Sequence, residues 1–301
     1  YLAMTDGTKK APLYIVIADF NGWAQTRICL QRLRESEYQN FAVIVVDHGT
    51  TGETANGLAE FPGIVRVQAD AELWWTGATN IGIRKALELG ASQIMLLNND
   101  CYVDSLTIGE LVDVSRTSPG QIIAPLQRDA ATDDILVARV ATCFTLGFPT
   151  FVLPHMKKVP QGAGGKVATR LIVGGRGVVI PATVFDSVGL FDETALPHYA
   201  ADHDFYLRCR DLGIALFIAT GASVTIDGTR TTAARDLGDM NWGEFVASLR
   251  DPRSHRNVAT LMTLFKRHYP IRPLFFIGVF LNLARYLFSY VLSRTSSLLR
   301  R

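Results

Sequence analysis

Four apolar runs constrain what this chain can fold into. "APLYIVIADF" (11–20), "FAVIVVDHGTTGET" (41–54), "GIVRVQAD" (63–70) and "SQIMLLNND" (92–100) are rich in Val, Ile and Leu, and each breaks into polar residues. Between them, "TRICLQRLRES" (26–36) has apolar residues in helical spacing, "GLAEF" is a short helical piece, and "TGATNIGIRKALELG" (76–90) reads as a helix stopped by Gly90. Continuous apolar strands alternating with helices predict an α/β fold with a mostly parallel, Rossmann-like central sheet covered on both faces. In such sheets ligands bind beyond the carboxyl ends of the strands. Asn21, Asp47 and Asp100 all stand at such ends.

After about residue 120 the pattern changes. "QIIAPLQ" and "LVARVATCF" read as strands, residues 147–170 as a Pro/Gly-rich loop, and "LIVGGRGVVIPATVF" as a return to strand. "DSVGLFDETALPHY" reads as loop, "DHDFYLRCRDLG" (202–213) as a helix ending at Gly213, and "IALFIATGASVTI" as one or two strands. Three segments result: a flexible N-terminus over 1–10, a main domain over 11–240, and a basic, amphipathic helical region over 241–301.

Several residues bear chemistry, each with a plainer reading beside it. In "LLNND", Asn98, Asn99 and Asp100 close a buried strand; Asp100 suits Mg²⁺ or Mn²⁺, while "NND" equally suits a turn. Asp47 suits hydrogen bonds to a base or ribose, or a cap. At the start of the 202–213 helix, Asp202 suits a general base; Asp204 suits a cap paired with Arg208 at i,i+4. "VGGRGVV" brings Gly175 and Arg176 near a substrate, and "DGTRTTAARD" offers Arg230 and Arg235 to a diphosphate, if these are more than ordinary loops. "GAGGK" lacks phosphate-loop spacing, and the six histidines show no HExxH pattern, so zinc is not expected.

Taken in order, these segments resemble family-2 inverting glycosyltransferases with the GT-A fold, over about residues 12–230. "IVIADFNG" is similar to the family's first strand, "VIVVDHGTTGET" to its "VVDNGSTDGT" segment, and "WWTGATNIGIRKALELG" to its Gly-Asn-Gly helix. "LLNND" occupies the DxD position, "GRGVVIPATVFDSVGLFDE" resembles the acceptor-side strand and loop, and "PHYAADHDFYLRCRDLG" resembles the "ED" helix. "WWTGATN" and "LPHYAAD" look most like the bacterial branch associated with rhamnosyl transfer. The resemblance implies a UDP- or dTDP-sugar donor and a saccharide acceptor, in surface polysaccharide assembly. It implies Asp202 as catalytic base and Asp100 on a divalent metal, with Asp227 standing where the family has a His. Asp19, Asn21, Asp47, Thr76, Gly77, Asn80, Asn98 and Asn99 fall on the donor nucleotide, and Trp75, Gly175, Arg176, Arg230 and Arg235 near donor or acceptor. There are departures: the first DxD carboxylate is Asn98, and the Glu of "ED" is Ala201.

Charge separates the two ends of the chain. Residues 1–250 hold 21 Lys/Arg against 27 Asp/Glu, and residues 251–301 hold 9 against 1. A basic tail favours an anionic surface as its partner. Within it, "PLFFIGVFLNLARYLFSYVL" (273–292) is near bilayer-spanning length, but Gly278, Asn282, Arg285, Ser289 and Ser293 form one polar stripe. A central Arg disfavours a lone span, which leaves a helix lying in the membrane interface, packed on the body, or dimerising. Cys29, Cys101, Cys143 and Cys209 form no CxxC pair, so reduced thiols in a cytoplasmic protein, peripheral at the inner face of the cell membrane, are expected. A lipid-linked acceptor fits that placement. Nucleic acid is excluded as a partner, since no aromatic-interleaved basic groove pattern is present. The alternatives are a sugar nucleotidyltransferase, which needs a basic Gly-rich loop after the first strand, and a membrane-docked inactive transferase-like scaffold.

Overall fold

The computed structural model describes residues 11–152, 162–226 and 237–299. The first half alternates as expected: β1 (Leu13–Asp19), α1 (Trp23–Arg34), β2 (Phe41–Asp47), α2 (Glu53–Gly57), β3 (Val65–Gln68), α3 (Trp74–Glu88) and β4 (Gln93–Leu97). Then come β5 (Cys101–Val103), α4 (Thr107–Arg116), β6 (Ile122–Asp129), β7 (Ile135–Val137), β8 (Val140–Cys143), β9 (Phe148–Val152) and β10 (Lys166–Thr169). β11 (Arg176–Pro181), α5 (Ala182–Val188), α6 (Ala201–Asp211) and β12 (Leu216–Ile226) follow, and α7 (Trp242–Ser248), α8 (Val258–His268) and α9 (Phe275–Leu299) close the chain.

The main sheet runs β10-β12-β6-β11-β4-β1-β2-β3, with β5 against β12 and β7 against β6. β1, β2, β3 and β4 are mutually parallel, and β6 is parallel to β12. β11 runs antiparallel between β4 and β6, so those two halves point the same way. Alternate residues feed two cores. Val16, Ile44 and Val46 pack on one face, and Ile15, Ile17, Val43 and Val45 on the other. This is why the runs are apolar at every position. Each such side chain contributes roughly 1.5–3 kcal/mol by its burial. α3 lies close on the sheet at Gly82, where a Cβ would come within 2.3 Å of Val16 Cγ1.

Two local expectations are corrected and a third is narrowed. The 171–185 run is strand only over β11. Gly174 and Gly177 have positive φ before and within it, and α5 begins directly after Pro181. The 147–170 segment is not all loop, because β9 pairs with β8 and β10 with β12. "IALFIATGASVTI" is one strand, β12, bulged between Ala219 and Ser223. Residues 1–10 lie outside the described residues.

The tail packs on the body through the stripe noted above. Asn282 is fully buried and donates to Gly147 O at 2.8 Å, and Gly278 faces Phe265 and Phe144 O. Arg285 lies over the rings of Phe148 and Tyr286. α9 therefore turns its polar side inward.

Candidate active site

β1, β2 and β4 end at one edge of the sheet, and β11, running the other way, begins there, with Arg176 opposite Leu97. A cleft of about 750 Å³ opens beyond this edge, lined in part by Trp75, Asn98, Asp100, Arg176, Tyr199 and Asp202. Asp100 comes from the turn joining β4 to β5, closed by Cys101 N–H donating to Asn98 O at 3.1 Å. Asp202 comes from the first turn of α6. Its Oδ2 accepts from Gly174 N–H at 2.6 Å, and His203 Nε2 stands 3.7 Å from the same oxygen. Ala200, at φ 64°, turns the chain into α6.

The polar groups around Asp100 hold one another. Asn98 Oδ1 accepts from Trp75 Nε1–H at 3.1 Å, and Asn98 N–H donates to Gly175 O at 2.8 Å. Gly175 cannot carry a side chain without crowding, because a Cβ would meet Trp75 at 3.0 Å and Leu96 at 3.2 Å. Arg176 donates to Gln127 Oε1 at 2.8 Å, with its Nε buried and unpaired. Asn99 turns back to Thr26 Oγ1 at 3.0 Å. Asn21, at φ 51°, accepts from Thr50 and Thr51 N–H, joining the loops after β1 and β2.

Five of the residues expected on the nucleotide do not face the cleft. Asp19 is fully buried, accepting from Gly22 N–H at 2.6 Å and Thr54 Oγ1–H at 2.7 Å. Asp47 is buried and holds Arg66 through Nε at 2.9 Å and a terminal nitrogen at 2.7 Å. Thr76 donates to Leu196 O at 2.9 Å, and Asn80 bonds Phe191 N–H and O and Glu193. Gly77 packs under Leu73. Thr76 and Asn80 sit on the buried face of α3 and anchor the loop that leads to α6. Asp227, Arg230 and Arg235 lie outside the described residues.

The cleft also contains residues for which sequence alone assigns no role: Phe20, His198, Tyr199 and His203, inside the quoted motifs, and His255, outside them. His255 comes from the segment between α7 and α8. Burial, with Arg256 and Arg285 nearby, pushes its imidazole down to about 4. Burial likewise lowers His198 and raises Tyr199. Lone histidines without ligand spacing carry no readable signal. The 241–301 stretch, expected to be helical, is broken between α7 and α8, and that break carries His255 to the cleft.

Asp204, two residues beyond Asp202, pairs with Arg208 as anticipated but does not cap the helix, whose N-cap is Ala200. It is fully buried and accepts from Arg208 Nε at 2.9 Å, Arg267 at 3.2 Å and His268 Nε2 at 2.9 Å. Against the penalty of burial, His268 and Arg208 hold its carboxyl down at about 2. α8 thereby grips the helix that carries Asp202.

Comparisons with known proteins agree with this geometry. Residues 14–143 match the family model described as Glycosyl transferase family 2. The uncharacterized protein Rv1525 of Mycobacterium tuberculosis is 27% identical over 199 residues, covering 64% of this chain and 69% of the relative. The dTDP-rhamnosyl transferase RfbF of Shigella flexneri is 25% identical over 206 residues, covering 68% and 66%. Among solved structures, GalNAc-T7 with UDP, GalNAc and Mn²⁺ superposes with a TM-score of 0.60 at 14% identity, over 90% of this chain and 55% of that one. The mannosyltransferase PcManGT from Pyrobaculum calidifontis, with GDP-Man and Mn²⁺, gives 0.59 at 14% identity, over 97% and 75%. This chain thus spans little more than half of GalNAc-T7 and about two thirds of its sequence relatives. The strand order and the superpositions show a GT-A type fold, and within it residues 14–143, which bring Asp100 to the cleft shared with Asp202, are similar to Glycosyl transferase family 2.

Proposed function

We propose that the chain transfers a hexosyl or rhamnosyl group from a UDP- or dTDP-sugar to a saccharide hydroxyl, with inversion. The observation that carries this reading is the cleft itself: two carboxylates from unrelated segments, Asp100 and Asp202, line one cavity at the carboxyl ends of parallel strands. Solved structures holding UDP or GDP-Man share the fold, and a dTDP-rhamnosyl transferase is 25% identical over 68% of the chain.

Asp202 is proposed as the base. Its Oδ2 is held by Gly174 N–H, and among the described residues Oδ1 has no hydrogen-bond partner. Oδ1 is thus left to accept the acceptor hydroxyl's proton as that oxygen attacks the anomeric carbon. A single displacement inverts the configuration. Tyr206 OH donates to Gly174 O at 3.3 Å and steadies the loop that orients Asp202. Trp75 and Asn98 form a wall beside Asp100.

The donor set fits a metal that arrives with the donor. Among the described residues no three His, Cys, Asp or Glu cluster to hold an ion. One strand-end carboxylate plus substrate phosphates is nevertheless a usual Mg²⁺ arrangement. Asp100 would hold the ion, and Asp227 is the proposed second contact. When bound, Mg²⁺ or Mn²⁺ neutralises charge on the departing nucleoside diphosphate.

A nucleotidyltransferase would need cations in the loop after β1, and Phe20-Asn21-Gly22-Trp23 has none. The proposed acceptor is lipid-linked, with the enzyme peripheral at the cytoplasmic membrane face. Two experiments test the reading. A thermal-shift panel of nucleoside diphosphates with and without Mn²⁺ identifies the nucleotide, since binding to the folded state raises its stability. Asp202→Asn keeps the bond to Gly174 and should lower kcat by roughly 10²–10⁴-fold without weakening the thermal shift. Near-normal turnover would remove Asp202 from the role of base.

A further inference from the structure

The body of the enzyme buries the wrong side of its longest helix. On α9 the polar stripe faces inward, and the apolar residues at 276, 277, 280, 287, 288, 291 and 292 face out. Phe276, Phe280 and Phe288 are 56%, 69% and 64% exposed. Spacings of three and four place them on one face, running roughly 24 Å along the axis at 1.5 Å per residue. By length and composition Arg272–Thr295 is apolar enough to cross a membrane. However, Asn282 and Gly278 are committed to Gly147, Phe144 and Phe265, which holds the helix flat against the domain.

A second feature adjoins this face. A cleft of about 830 Å³ lies between α6, α8 and the start of α9, with Arg208, Lys266, Arg267 and Arg272 on its walls and Phe275 at its edge. Two acidic side chains share it, Asp204 and Asp211. Arg208 and Arg267 are consumed by Asp204, Asp192 and backbone carbonyls. Lys266 and Arg272 have no hydrogen-bond or ion-pair partner among the described residues, and Arg272 is exposed. Two uncommitted cations therefore stand where the apolar face begins.

We infer that the outward face of α9 and the Lys266–Arg272 cleft form one docking surface for an anionic lipid leaflet. The apolar side chains enter the acyl boundary, and the two cations take lipid phosphates at headgroup level. The inference rests on the peripheral-enzyme reading above and names the surface responsible. An interfacial helix needs both elements, an apolar face and cations at its border. A second copy of the chain is the weaker occupant. An isologous contact would bring the same basic rim against itself, while α9 has no carboxylate to answer it.

The test is flotation of the full chain with phosphatidylcholine vesicles and with vesicles containing a phosphatidylglycerol fraction. Wild type should float with the anionic vesicles, and less in high salt. Phe280→Asp/Phe288→Asp should abolish flotation. Lys266→Ala and Arg272→Ala should each weaken it about fivefold, about 1 kcal/mol per cation. Both pairs of positions lie outside the nucleotide cleft, so the nucleoside-diphosphate thermal shift should be unchanged. Its absence in wild type would count against the donor reading alone. Equal flotation on neutral and anionic vesicles, or flotation by the Phe280/Phe288 variant, would overturn the inference. So would a wild-type dimer that this variant dissociates while vesicles recruit neither protein.

Discussion

Asp204→Asn is the sharpest probe of how the tail is joined to the site. The wild-type carboxylate is fully buried and faces three donors from two helices: Arg208, Arg267 and His268. The amide keeps the volume but not the charge, leaving the partly buried Arg208 and Arg267 without their buried counter-ion. Breaking such a buried pair from one side costs about 3–5 kcal/mol. The lower end applies here, because Arg267 is partly exposed. Acid gives an independent measure. The folded-state carboxyl lies at about 2, below its ordinary 3.8, so it contributes stability above the unfolded value that disappears as pH falls through about 2. That contribution is about 2 kcal/mol at pH 7, and about half of it is gone by pH 3. Urea denaturation of both proteins from pH 7 down to pH 3 separates the cases. The gap between wild type and variant should be about 3 kcal/mol at neutral pH and should narrow by about 1 kcal/mol in acid. A gap below 1 kcal/mol that does not change with pH would show that Asp204 is not the joint between α6 and α8.

The remaining predictions follow from the same contacts. Asp100→Ala should abolish any Mn²⁺ enhancement of the nucleoside-diphosphate thermal shift while leaving the melting temperature of the free protein within a few degrees; a retained enhancement would move the metal elsewhere. His255 lies depressed at about 4, so protonation favours the unfolded chain: its contribution is complete above about pH 6.5 and is lost as pH falls toward 4, by up to about 3 kcal/mol. His255→Gln should therefore flatten the stability profile over that window, and an unchanged slope would count against a buried neutral imidazole. Gly82→Val should destabilise the fold by several kcal/mol in denaturant titrations, because a Cβ there already meets Val16 Cγ1 at 2.3 Å.

The class of the central sheet was legible because both its faces are buried, whereas strand order and register came from the pairing itself. Val43 to Val46 cannot be anything but a doubly covered strand. The tail was legible only in part. The stripe at 278, 282, 285, 289 and 293 is plain from spacing, but spacing does not say which side of a helix faces its protein. That depends on partners far away in sequence, Gly147 for Asn282 and Phe148 for Arg285. β11 and α5 were blurred together because Pro181 ends a strand and starts a helix with no polar break between them.

The site shows a further reason why motifs mislead about contact. Thr76 and Asn80 fall on a recognisable segment, and so do Asp19 and Asp47, yet all four spend their polar atoms on the protein itself. A polar residue at a strand end can touch a ligand or shape the loop that does, and sequence position does not separate the two. Burial bears on the choice: Asp19 is fully buried and accepts from Gly22 N–H and Thr54 Oγ1–H, so its carboxylate holds together the loops that follow β1 and β2. "LLNND" resolves on the same principle. Turn and site were offered as alternatives, but the turn closed by Cys101 N–H is what directs Asn99 inward to Thr26 and leaves Asp100 on the cleft. The first two positions of the motif serve the backbone and the wall, so a single carboxylate remains for chemistry. On the proposed reading, such a site would depend on the donor's own diphosphate to complete a metal shell, so nucleotide and metal binding would be mutually reinforcing rather than independent.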